Sequence, residues 1–171
     1  MTVLNGKLYF GADDGSGWND FENHVASTEP NPDHTHGREL WVTDGTAGGT
    51  VMVKDINLDK PFHSGLGSSM YTSSVAMGIP IFDNKLYFPV LTDSSTTKLC
   101  CSDGTSAGTV IVKKVAMLSS DPQYQGIFST AVFNSKLYFA GYDATPHSGN
   151  GVELWATDGT GTGTAMVKDI N

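Results

Sequence analysis

The chain has 171 residues, with 10 Lys+Arg against 18 Asp+Glu, a formal net charge of −8 and a pI near 4.8. This balance supplies no basic footprint for nucleic acid or an anionic membrane surface, no apolar run reaches the roughly 18 residues of a membrane span, and Met1-Thr2-Val3-Leu4-Asn5 lacks the charged region and apolar core of a signal peptide. Only 16% of residues are charged, against about 25% in a typical domain, and 20 are Gly, which fits a turn-rich all-β chain better than a helical one.

In chain order, the first predicted strand is Met1 to Leu4, closed by Asn5-Gly6, the strongest two-residue hairpin signal because both central residues take positive φ. Lys7 to Phe10 forms the second strand, and a long polar segment, 13–37, separates it from a third that holds Leu40 and Trp41. Asp44-Gly45-Thr46 then turns the chain into a fourth strand ending at Ile56. The same grammar returns twice. Val75 to Phe82, Asp83-Asn84, Lys85 to Phe88, a short polar connection, Leu99 with Cys100, Asp103-Gly104-Thr105 and a strand ending at Val115 make a second unit. Ile127 to Phe133, Asn134-Ser135, Lys136 to Phe139, the segment 142–151, Leu154 with Trp155, Asp158-Gly159-Thr160 and a strand ending at Ile170 make a third.

Self-similarity therefore decides the architecture. Each unit reads as a four-stranded antiparallel meander that is apolar on both faces, and such a sheet needs another sheet on each side. Stacked copies meet that need in a β-propeller; a sandwich accommodates three four-stranded units poorly, and a parallel β-helix needs much shorter repeats. The expectation is an all-β, β-propeller-type chain of three four-stranded antiparallel blades, at 1–57 with the insertion 13–37, at 58–116 as a degenerate copy, and at 117–171. Propellers have about four to eight blades, so three blades leave two open faces. Completion by oligomerisation is expected, as a six-bladed ring from a homodimer; a head-to-tail fibre, or a piece of something longer, is the alternative.

The segment Glu39-Leu40-Trp41-Val42-Thr43-Asp44-Gly45-Thr46 recurs as Glu153-Leu154-Trp155-Ala156-Thr157-Asp158-Gly159-Thr160 and, degraded, as Lys98-Leu99-Cys100-Cys101-Ser102-Asp103-Gly104-Thr105. Each copy is followed by Gly-Thr and an apolar run through Lys54-Asp55-Ile56, Lys113-Lys114-Val115 or Lys168-Asp169-Ile170. This pattern resembles the ELWxxDGT repeat family of large bacterial secreted or surface proteins, related in grammar to Kelch-type blades. The resemblance covers nearly the whole chain. It implies propeller-like blades and an extracellular or cell-surface setting, and it implies no defined catalytic machinery. The second unit departs from it at Lys98, Cys100 and Lys114.

Residues that repeat are read as scaffold. Trp41 and Trp155 are expected to pack between blades, Asp44, Asp103 and Asp158 to cap their own turns, and Lys54, Lys113 and Lys168 to guard outer edges against pairing. Cys100 and Cys101 are adjacent, so a regular strand points them to opposite faces, and they are read as two packed thiols.

Residues that do not repeat carry the functional candidates. Trp18, Asp20, Glu22, Tyr71, Tyr124, Tyr142, His147 and Asn150 are the candidate ligand residues, because ring faces stack on sugars while short polar groups bind hydroxyls. With Phe62 and His63 they fall in connections that strand parity assigns to one end of the blades. His34 and His36 share a face of an extended segment, so with His24 or Asp33 they form a candidate metal set for Zn²⁺; Asp13-Asp14-Gly15-Ser16-Gly17 offers oxygens to Ca²⁺ without the ligand spacing of an EF-hand. No cofactor is required by the pattern. No nucleophile elbow, phosphate loop or paired metal box occurs. The expected function is noncatalytic binding of a ligand, such as a glycan or cell-surface group, or adhesion, through the insertion-bearing face. Pure self-assembly, and a metal-dependent hydrolase using His24, His34 and His36, are the alternatives.

Overall fold

The computed structural model describes residues 1–13, 38–56, 79–93, 96–115, 130–141 and 152–170. They form strands without helix, in three four-stranded antiparallel sheets. Sheet 1 runs in the order β1 (Thr2–Leu4), β2 (Lys7–Asp13), β3 (Arg38–Thr43) and β4 (Val51–Lys54). Sheet 2 repeats it with β5 (Ile81–Phe82), β6 (Lys85–Asp93), β7 (Thr96–Ser102) and β8 (Val110–Lys114). Sheet 3 consists of β9 (Thr130–Phe133), β10 (Lys136–Gly141), β11 (Glu153–Thr157) and β12 (Ala165–Lys168).

The three sheets share one register, which is why sequence and fold repeat together. Phe10 pairs with Trp41, Phe88 with Cys100 and Phe139 with Trp155. All three have an irregularity at the same step, between Leu40 and Trp41, Leu99 and Cys100, and Leu154 and Trp155. The first hairpin of each sheet turns on two residues of positive φ: Asn5 and Gly6, Asp83 and Asn84, Asn134 and Ser135. Asn, Asp and Gly tolerate this region at least cost, so these three turns were visible as residue types before any geometry.

Alternation along the strands gives every sheet two apolar faces, and the sheets stack through them. Leu4, Tyr9, Leu40 and Val42 of sheet 1 form one core with Leu86, Phe88 and Cys100 of sheet 2. The opposite face of sheet 2, with Tyr87, Leu99 and Cys101, forms a second core with Leu137, Phe139 and Trp155 of sheet 3. The two thiols thus point to opposite faces, both free and buried, as strand parity requires. Burial, and next the neighbouring Cys101, push the Cys100 thiol up to about 12, so it remains a protonated, packed group. The stack is in step from edge to edge: Thr2 Oγ1 of β1 donates to Ile79 O beside β5 at 2.7 Å, while Lys54 of β4 reaches the segment leading into β8.

Candidate functional site

The most elaborate polar chemistry among the described residues lies at the turn between the third and fourth strands of each sheet. In sheet 1, Asp44 Oδ1 accepts from both the backbone N–H and the hydroxyl of Thr46, at 2.9 and 2.7 Å. The Thr46 hydroxyl oxygen accepts from Gly49 N at 2.9 Å, and Thr50 Oγ1 donates to Thr46 O at 2.7 Å. Asp103, Thr105, Gly108 and Thr109 rebuild this circuit in sheet 2; Asp158, Thr160, Gly163 and Thr164 do so in sheet 3. A Cβ on Gly49, Gly108 or Gly163 would strike the carboxylate of its own turn. The second Gly of the motif is therefore required by close approach, and the first, with φ of +94, +93 or +94, by backbone conformation. The hydroxyls hold all three carboxyls below the usual carboxylate range. The expected capping role of the three Asp is what the structure shows.

These turns are also where one sheet grips the next. The Tyr9 hydroxyl stands directly over Gly104, and Tyr87 Oη lies 2.7 Å from where a Cβ on Gly159 would stand. Burial, and after it the charge of the facing Asp103, raises the pKa of Tyr9; burial first, with Cys101, Asp83 and Asp158 adding to it, pushes Tyr87 up to about 12. Beside them, Lys54 Nζ donates to Thr109 O at 2.8 Å, and Lys113 Nζ donates to Thr164 O at 2.5 Å. The expectation that Lys54 and Lys113 only guard an edge is corrected here: their ammonium groups tie consecutive sheets together, satisfying carbonyls the turn circuit leaves open. Strand alternation could not reveal this, because it assigns a face and not what lies opposite.

The Glu of the motif closes each flanking sheet. Glu39 Oε2 accepts from Ile56 N at 3.2 Å, and Glu153 Oε2 from Ile170 N at 2.8 Å. Sheet 2 has Lys98 there, cross-strand from Lys114, and lacks the clamp. Trp155 packs between sheets as expected, stacked on Phe139 with centroids 6.5 Å apart. Trp41 is only half-buried, because its face of sheet 1 has no described sheet against it.

The residues chosen from the sequence for ligand binding, Trp18, Asp20, Glu22, Tyr71, Tyr124, Tyr142, His147 and Asn150, lie outside the described residues, as do the metal candidates His24, Asp33, His34 and His36. Among the described residues no group of three or more His, Cys, Asp and Glu could hold a metal ion. The sequence reading missed Tyr9, Tyr87 and the inter-sheet role of the lysines. A signal for them existed: the second unit loses the Glu and Trp of the motif yet keeps Tyr87, Asp103-Gly104-Thr105 and Lys113, the residues of the junction. No family model, curated protein or solved structure matches this chain.

Proposed function

We propose that the chain is a noncatalytic β-propeller-type module of the ELWxxDGT kind, whose stacked sheets hold the long connections 13–37 and 142–151 for binding an extracellular or cell-surface ligand, with a glycan as the leading class. The observation that carries this reading is how the repeated polar groups are used. The Asp and Thr of the motif are engaged in turn circuits and Lys54 and Lys113 in inter-sheet ties, and the two thiols are buried. The repeat is thus a scaffold, and chemistry specific to this chain falls to the residues that do not repeat. Propeller geometry gives three blades a natural completion, a six-bladed ring from two chains.

The test is a glycan-array screen of the intact assembly beside a variant in which 14–37 is replaced by a short polar connection like that of the second unit. Binding by the parent and its loss in the variant is the expected result. Silence from both overturns the ligand assignment, and retained binding by the variant moves the site elsewhere. Metal titration of the same pair, read by bound stoichiometry, decides whether His24, His34 and His36 hold an ion.

A further inference from the structure

Each internal junction joins two unlike faces. The first, with Tyr and Leu, belongs to the preceding sheet; the second, with Phe and Trp or Cys, belongs to the following one. Among the described residues, the Tyr face of sheet 3 and the Trp face of sheet 1, one of each kind, therefore have no sheet against them. On sheet 3 the Tyr face is uncovered: Leu154 is 41% exposed where Leu40 and Leu99 are at 0%, and Phe133 is 63% exposed where its counterpart Leu4 is at 4%. On sheet 1 the Trp face is only half-covered, at Leu8, Phe10 and Trp41, whereas their counterparts Leu86, Phe88 and Cys100, and Leu137 and Phe139, are buried. The polar parts of the junction are divided in the same way. Among the described residues nothing stands within 4 Å of a Cβ on Gly45, the position that Tyr9 and Tyr87 cover on the other two turns. Lys168, the counterpart of Lys54 and Lys113, is exposed.

We propose that the bare face of sheet 3 docks on the bare face of sheet 1 of a second copy of this chain, head to tail, repeating the junction that the chain already forms twice. Tyr138 then covers Gly45 of the other copy, and Lys168 donates to its Thr50 carbonyl, as Lys54 does to Thr109 and Lys113 to Thr164. The contact is heterologous, and two such contacts related by a twofold axis close a ring. This deepens the ring reading above and rests on it, but not on the ligand.

Because the two faces differ, the interface can be tested by complementation. Leu154→Asp places a charge on the sheet 3 face and Phe10→Asp on the sheet 1 face, both at positions partly open to solvent in the single chain but buried where the junction is formed, as at Leu99 and Phe88. Light scattering is expected to give twice the 18.2 kDa chain mass for the parent, the single-chain mass for each variant alone, and twice the mass again when the two variants are mixed, since each retains the face the other lacks. Variants that remain paired alone overturn the head-to-tail contact in favour of a dimer by another face, and variants that stay single when mixed overturn it as well. A parent of single-chain mass overturns both this contact and the ring. Circular dichroism establishes that each variant keeps its β signal. Should either fail to fold, Lys168→Met serves in its place: removing only the charge-assisted tie is expected to weaken each contact about tenfold and so raise the dissociation constant of a dimer closed by two contacts about a hundredfold, and an unchanged constant counts against the contact.

Discussion

Sheet 2 and sheet 3 differ in a way that reverses what their sequences promise. Sheet 3 has the full motif, with Glu153, Trp155 and Asp169, whereas sheet 2 has lost all three counterparts to Lys98, Cys100 and Lys114. Yet sheet 2 is covered on both faces, with Leu86, Tyr87, Phe88, Leu99 and Cys100 all at 1% exposure or less, while sheet 3 leaves Leu154, Val167 and Ile170 at 41%, 52% and 69%. The motif sets the turn and the register of each sheet. Its neighbours set how much of each side chain is buried, and with it most of the energy, since apolar burial scales with area removed from water.

The sharpest way to break this comparison is to truncate the same leucine in both sheets. Leu99→Ala removes a side chain at 0% exposure in the second core, where a large-to-small change costs about 2 to 5 kcal/mol. Leu154→Ala, at an equivalent register position but 41% exposed, is expected to cost less than about 1 kcal/mol when chains are held apart by Phe10→Asp. Chemical denaturation of both variants in that background measures the gap. In the paired form the gap should narrow; equal costs in the separated chains would mean that position within the stack does not govern stability.

A second contrast isolates the inter-sheet grip from backbone strain. Gly45 and Gly104 have φ of +94 and +93, so Ala at either one incurs the left-handed penalty of about 1 to 2 kcal/mol. Of these two, it is Gly104 that lies beneath a tyrosine hydroxyl. Gly104→Ala is therefore expected to cost about 1 to 3 kcal/mol more than Gly45→Ala, the range for overpacking a filled site. Thermal unfolding of the two variants, again in separated chains, measures the difference, and adding Tyr9→Phe should recover part of it only for Gly104.

What could be read in advance follows from this division. The hairpin turns were legible because positive φ admits few residue types, and five of the six positions in Asn5-Gly6, Asp83-Asn84 and Asn134-Ser135, all but Ser135, hold Asn, Asp or Gly. The three sheets were legible because Lys-Leu-Tyr-Phe and Asp-Gly-Thr recur at matching offsets. The inter-sheet ties were not, because Lys54 on an outer strand reads as a solvent-facing charge until the Thr109 carbonyl is placed opposite. The candidate ligand residues, from Trp18 to Asn150, stand in segments without repeat or period, so residue type and the strand parity of their connections nominated them, and they lie outside the described residues.

A smaller effect compares the hairpins themselves. Sheet 1 turns on Asn5-Gly6 and sheet 3 on Asn134-Ser135, where Ser135 sits at φ of 56. Ser135→Gly relieves the left-handed strain on an exposed side chain but makes the unfolded chain more flexible. The net gain expected is about 0.5 to 1 kcal/mol, read as a rise in the unfolding midpoint. Gly6→Ser should lose a similar amount, making the two hairpins interchangeable by one residue.

The smallest expected effect is acid sensitivity, and it asks whether the turns behave alike where the cores do not. The carboxyls of Asp44, Asp103 and Asp158 lie below the usual range, first through the hydroxyl and then the backbone N–H of Thr46, Thr105 and Thr160. A lowered pKa in the folded chain means that the ionised form is favoured by folding. The contribution is complete above the unfolded aspartate value near 4 and is lost as pH falls through the folded values. All three groups are open to water, so screening keeps each contribution small. Stability followed by denaturation between about pH 6 and pH 2 should fall below about pH 4, and Asp44→Asn, Asp103→Asn and Asp158→Asn should each flatten that fall to the same slight degree. A distinctly larger response at Asp103 and Asp158, the two turns that lie under a tyrosine, would show that the charge of the turn is coupled to stacking. The turn would then be part of the junction's energetics and not merely the place where the junction rests.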